Sequence, residues 1–162
     1  TAQEDFPSFH FDHYGSSQGA KDVLPKAISH KIPMLVTGYS QQNLSWNAEH
    51  SDGWMYYPRD LYTQRNMIRQ WRGLIPEDQY NKPFMQPLYV VLSEHDDFKP
   101  LPLQLGYKIG VNYLIDYFHQ IKENGVNHVG INLRFNQMNI DKTLDTLANK
   151  VLPEFHATEK VH

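Results

Sequence analysis

The segment Ile32-Pro33-Met34-Leu35-Val36-Thr37-Gly38-Tyr39-Ser40-Gln41-Gln42 is an apolar, partly β-branched run that stops at a glycine and passes into small polar residues. Such a run predicts a buried strand. The Ser-Gln-Gln that follows predicts a helix over Ser40–His50, closed by Asp52-Gly53. A strand that hands over to a helix through a glycine leaves unpaired N–H groups beyond its carboxyl end. Those groups and the positive end of the helix dipole favour an anion such as a phosphate. Gly38, Tyr39, Ser40 and Gln41 therefore form the first candidate binding site.

Outward from this segment the chain alternates short apolar runs with longer amphipathic ones. Strands are predicted at Met34–Thr37, Gly53–Tyr57, Leu88–Leu92 and His128–Leu133, and helices at Ser40–His50, Asp60–Leu74, Val111–Asn124 and Ile140–Phe155. Val111, Leu114, Ile115 and Phe118 recur at helical spacing, and Asn124-Gly125 supplies a stop. Ile140, Leu144, Leu147, Val151 and Phe155 form a second stripe, with Asp141 in the first turn where the macrodipole favours it. Pro58 lies where a helix can begin. The pattern β-α-β-α-β-α-β-α implies parallel strands, right-handed crossovers and helices packed on the sheet. Residues 1–31 read as an irregular lead-in, and 32–155 as four βα units of one domain. Between Ser93 and Gly110, an insertion with Pro, Leu and Asp reads as an active-site loop or short helical cap. An eight-stranded barrel usually needs about 250 residues, so 162 residues suit an open four-stranded sheet or half of something larger.

Composition narrows the function classes. Ten Tyr, eight Phe and three Trp predict a packed interior. A net charge of -3 with scattered Lys and Arg argues against nucleic acid or an anionic membrane as the main partner. No run of about 18 apolar residues occurs. The absence of cysteine excludes disulfides and thiolate chemistry, and a cytoplasmic address fits.

The ordered set Asp22-Val23-Leu24-Pro25-Lys26, Ile32 through Gly38, Ser40-Gln41-Gln42, Ala48-Glu49-His50-Ser51-Asp52-Gly53-Trp54, Tyr57-Pro58-Arg59, Gly125 through Arg134 and Leu144 through Phe155 resembles the second half of luciferase-like flavin-dependent oxidoreductases. The resemblance runs from about Phe6 to Phe155. It implies the C-terminal half of a (β/α)8 TIM barrel that binds FMN, or in some branches a deazaflavin, at the carboxyl ends of the strands. It implies oxidation or monooxygenation of a small organic substrate, with reduced flavin supplied by a reductase or by NAD(P)H. Gly38, Tyr39, Ser40 and Gln41 match the loop that helps hold the flavin phosphate in that family. No residue matches a named catalytic acid or base. A half-barrel exposes two strand edges and an apolar face, so a homo-oligomer, or association with the other half of the barrel, is expected. A flavin- or anion-binding half-barrel without turnover is the alternative.

Other readings of the same residues stay open. Gly38–Gln41 also suits a plain βα turn with Ser40 as helix N-cap. It further mimics the Gly-x-Ser-x-Gly nucleophile elbow, with Gln42 in place of the last glycine; Ser40, Asp96 or Asp97, and His128 would then form a hydrolase triad. His10 and His13 lack further ligands at metal spacing and read as exposed or core-edge residues, and His128 as structural. Trp54 and Tyr56 share a strand face, with packing the default and a flavin contact the alternative. Arg59 suits an anion contact or a solvated first turn. Asn132, Arg134 and Asn136 lie at or past a strand carboxyl end, where barrels keep their chemistry; for Arg134 a second anion contact competes with a salt bridge to the next helix.

Overall fold

In a computed structural model of the chain, residues 5–13, 15–19, 22, 24–26, 28, 32–79 and 81–155 are described. They belong to two compact units, one ending at Met34 and one beginning at Leu35. Within the first, Ser8–Phe11 (β1) and Gly15–Gln18 (β2) pair antiparallel, Ser8 opposite Gln18. A hairpin therefore stands where the sequence predicts an irregular lead-in. Its strands are short and largely exposed, so no apolar alternation announces them.

The second unit is built on parallel strands: Leu35–Thr37 (β3), Gly53–Met55 (β4), Phe84–Leu92 (β5) and His128–Asn132 (β8). β3 pairs with β4, β4 with β5, and β5 with β8, all parallel. Each of these four strands thus lies beside the one before it in the series. A doubly wound sheet would reverse direction at a switch point; winding one way is the pattern of a TIM-barrel-like wall.

The Ser93–Gly110 insertion holds a second hairpin, Leu101–Leu103 (β6) and Gly106–Ile109 (β7), instead of a loop or helical cap. β7 adds to β5 in parallel. The backbone bonds show which edge it uses. Pro83 and Met85 accept from Trp54 and Tyr56, and Tyr89 and Ser93 donate to Leu105 and Ile109. Phe84 accepts from Asn127 on the opposite edge. Odd-numbered peptide groups of β5 thus face β4 low on the strand and β7 high on it, while even-numbered ones face β8. Gly106 permits this addition: a Cβ there would lie 1.8 Å from the Tyr89 carbonyl oxygen. The connecting turn places Leu105 at φ +60°, without the Asn-Gly or Asp-Gly signature that marks such turns in sequence.

Helices Leu44–His50 (α1), Leu61–Arg72 (α2), Val111–Glu123 (α3) and Ile140–Thr146 (α4) follow β3, β4, β7 and β8. Asp60 caps α2, its carboxylate accepting from Thr63 N at 2.9 Å, and this bond holds its pKa below the usual value. α4 continues through a π turn, Leu147–Val151, into Leu152–Phe155 (α5). Its predicted stripe is corrected in the first half. Ile140 and Leu144 are exposed, whereas Thr143, Leu147 and Val151 are buried. Thr143 faces inward because its hydroxyl donates to Asn139 O and accepts from Asn136 Nδ2, both at 2.8 Å.

One face of the sheet meets the helices. Phe84, Gln86, Leu88, Val90 and Leu92 of β5 are buried there, with Trp54, Trp71, Ile68, Leu114 and Ile121. Two buried polar features sit in this layer. Lys82 Nζ donates to the Ala48 and Glu49 carbonyls at the end of α1, at 2.6 and 3.1 Å. A side-chain chain runs from Asn124 to Gln64, Gln86 and Tyr117. On the other face Thr37, Met55, Met85 and His128 share one register row, and Tyr89 lies opposite Asn132. These side chains range from half-buried to exposed.

Candidate functional site

Beyond the carboxyl end of β3 the chain does not enter a helix at once. α1 opens at Leu44, and its cap is Asn43, whose Oδ1 accepts from Trp46 N at 2.7 Å. The predicted start at Ser40, and with it Ser40 as N-cap, is corrected. Asn is at least as good a cap as Ser, and the Ser40 hydroxyl is already committed, donating to Thr37 O at 2.9 Å.

Residues Gly38–Gln41 instead form a tight turn in the left-handed region, with φ of +60° at Gly38, +47° at Ser40 and +60° at Gln41. Two non-glycine residues so placed cost of order 1–3 kcal/mol each, and such strain concentrates at binding and active sites. Contacts on both sides hold the turn. Gly38 N donates to Met55 O (2.8 Å), Gln42 N to Tyr39 O (2.9 Å) and Trp54 Nε1 to Gly38 O (2.6 Å). The Tyr39 ring lies 5.8 Å from Trp54 and 5.6 Å from Tyr56. The N–H groups of Tyr39, Ser40 and Gln41 donate to no acceptor among the described residues, and all three residues are exposed. Three neighbouring free donors at a strand's carboxyl end can receive an anion.

The other candidates separate clearly. The hydrolase triad does not assemble. Thr37 and His128 occupy one row three strand spacings apart, about 14 Å. Asp96 pairs with Lys150 Nζ (2.5 Å), and Asp97 accepts from Asn112 Nδ2 (2.7 Å). Trp54 is wholly buried against Phe84 and Trp71, which is the packing reading. Arg59 lies over the Tyr56 ring at 5.5 Å, and that ring in turn lies 5.6 Å from Tyr39. Asn132 accepts from Arg134 N, and the Arg134 guanidinium covers Phe135. Asn136 ties elements together, accepting from Leu92 N at 3.0 Å and donating to Thr143 and to Met138 O. His10 stands 3.3 Å from Asp12 on the exposed first hairpin. No group of three or more His, Asp or Glu among the described residues is placed to hold a metal.

A cleft of about 820 Å³ opens past β5, between Ser93–Lys99 and α4. Two of its charged pairs close on themselves, Lys142 with Glu94 (3.1 Å) and Lys150 with Asp96, while Asp97 accepts from the neutral Asn112 amide and Lys99 completes the lining. The sequence reading missed Asn43 as cap and the Trp54–Gly38 bond. Asn43 was legible, since Asn precedes the periodic run Leu44–His50; the Trp54 contact joins residues 16 apart and has no local signature.

No family model matches this sequence, and no curated protein matches it. Among solved structures the fold is similar to that of an F420-dependent secondary alcohol dehydrogenase in complex with an F420-acetone adduct. The TM-score is 0.67 at 11% identity, over 93% of this chain and 56% of that one. The likeness is one of fold, and this chain spans just over half the length of that protein. Among the described residues no helix is long and apolar enough to cross a membrane.

Proposed function

We propose that this chain carries the cofactor-phosphate site of a luciferase-like, flavin-type oxidoreductase acting on a small organic substrate, as the C-terminal half of a (β/α)8 barrel. The observation that carries the reading is the Gly38–Gln41 turn: beyond the carboxyl end of a parallel strand, three N–H groups that find no acceptor among the described residues. Strand carboxyl ends are where TIM barrels place their sites. The strand order and the likeness to an F420-dependent dehydrogenase support the same reading. Gly38, Tyr39, Ser40 and Gln41 would hold the phosphate of FMN or of a deazaflavin. The bound cofactor supplies the hydride or oxygen chemistry, whereas these residues bind and orient it. The half-exposed face around Thr37, Met55, Met85 and Tyr89 supports association with a second copy or with a complementary half-barrel.

The test is titration of FMN, and of a deazaflavin in parallel, with the full chain, followed by flavin fluorescence. Saturable quenching is expected, weakened about a hundredfold in Ser40→Asp by like-charge repulsion at the phosphate. Asp tolerates the left-handed region but cannot donate to Thr37 O as the Ser40 hydroxyl does, so Ser40→Ala, which loses the same bond without adding charge, is the control. Equal binding by the wild-type and Ser40→Asp proteins rejects the site. Binding without turnover when reduced flavin, oxygen and substrate are supplied would favour the non-catalytic half-barrel.

A further inference from the structure

We propose that Trp54 is a positioning residue for this site: its indole N–H aims the loop donors and so sets affinity for the cofactor's phosphate. The inference rests on the reading of Gly38–Gln41 as a phosphate site.

Trp54 occupies the strand next to β3 and is wholly buried. Phe84, Trp71 and Tyr56 fix its ring, with centroids at 5.4, 5.6 and 5.3 Å. A ring so enclosed has one orientation available, and its Nε1 donates to Gly38 O at 2.6 Å. The consequence follows from peptide geometry. The Gly38 carbonyl and the Tyr39 N–H belong to one planar trans unit, in which the two bonds point in opposite directions. A carbonyl drawn inward to Trp54 therefore turns the Tyr39 N–H outward, to the exposed side of the turn. The Tyr39 ring, seated on Trp54 and Tyr56, holds the next residue in the same frame. Gly38 is fixed from the other end as well, its N–H bonded to Met55 O at 2.8 Å. β4 thus grips Gly38 twice, once by backbone and once by side chain. The Met55 bond is made by backbone alone, so Trp54 is the half of the grip that substitution can remove.

Trp54→Phe keeps a ring in the core and deletes the donor. FMN and riboflavin share the ring system and differ in the phosphate, so the full chain is titrated with both. The expected result is an FMN affinity about tenfold weaker in Trp54→Phe, with riboflavin affinity unchanged. A general loss of structure would weaken both ligands together, and that outcome overturns the proposal, as does an unchanged preference for FMN. A wild-type chain that binds FMN no better than riboflavin rejects the phosphate site itself, and the proposal with it. Should Trp54→Phe fail to fold, the wild-type chain answers through linkage. With saturating inorganic phosphate as probe, exchange of the Trp54 indole proton slows if the bond and the anion are coupled, and unchanged exchange overturns the proposal.

Discussion

Gln86 offers the sharpest test of how the sheet is held to its helices. It projects from the first half of β5 into the helix-facing layer and is 1% exposed. Its Oε1 accepts from Gln64 Nε2 on α2, and its Nε2 donates to the Tyr117 hydroxyl on α3 at 3.0 Å. One side chain therefore couples a strand to both neighbouring helices. Gln86→Leu matches its volume closely and leaves two buried groups short of a partner, the Gln64 amide and the Tyr117 oxygen. Each orphaned group costs about 1–3 kcal/mol, partly offset by the apolar leucine, so a net loss of about 2–4 kcal/mol is expected. In a chain of this size that lowers the thermal midpoint by about 5–15 °C. Urea denaturation followed by circular dichroism measures it, with an unchanged m-value showing that stability alone has altered. The decisive comparison is a double-mutant cycle. Gln64→Leu with Gln86→Leu removes both partners of one bond, so the pair should cost less than the sum of its members by about 1–2 kcal/mol. Additivity within about 0.5 kcal/mol, or a loss below that for Gln86→Leu alone, would refute the argument.

Two further outcomes follow from the same structure. Burial pushes the Tyr117 phenol up to about 12, against a weaker opposing effect of the Gln86 bond. The unfolded chain releases that proton near its ordinary value of about 10, so stability is untouched below pH 10 and falls between about 10 and 12, by about 3 kcal/mol in all. Tyr117→Phe should flatten that stretch of the pH–stability curve; the same alkaline loss in both proteins would refute the assignment. Gly106→Ala drives a Cβ onto the Tyr89 carbonyl and should free β7 from β5 at a cost of at least about 2 kcal/mol. Loss of hydrogen-exchange protection at the amides of residues 101–109 reports it, and retained protection would contradict the register.

Four strands and four helices of the parallel layer are legible in the chain. Each is marked by its own periodicity and by neighbours in sequence, such as Asp60 before α2 or Asn124-Gly125 after α3. What the sequence conceals is non-local or weakly patterned. The β6–β7 hairpin exists because β5 outruns β4 and leaves an upper edge to pair, and only the register of two distant strands reveals that. The inward face of the last helix opens with Thr143 in place of Ile140 and Leu144, a choice made by hydrogen bonds to Asn136 and Asn139.

The candidate site divides in the same way. Residue types alone mark Gly38–Gln41 as the end of a strand and a place for turning, because glycine and small polar residues break an apolar run. Sequence points to a helix cap at Ser40, because Ser caps helices well, whereas neither Ser nor Gln has a preference for the left-handed region that would announce the turn. Tertiary structure decided for the turn. A buried indole 16 residues away fixes the Gly38 carbonyl, and with it the direction in which the loop donors point. Local composition determines where a chain is free to turn, whereas the direction of a donor depends on what packs behind it.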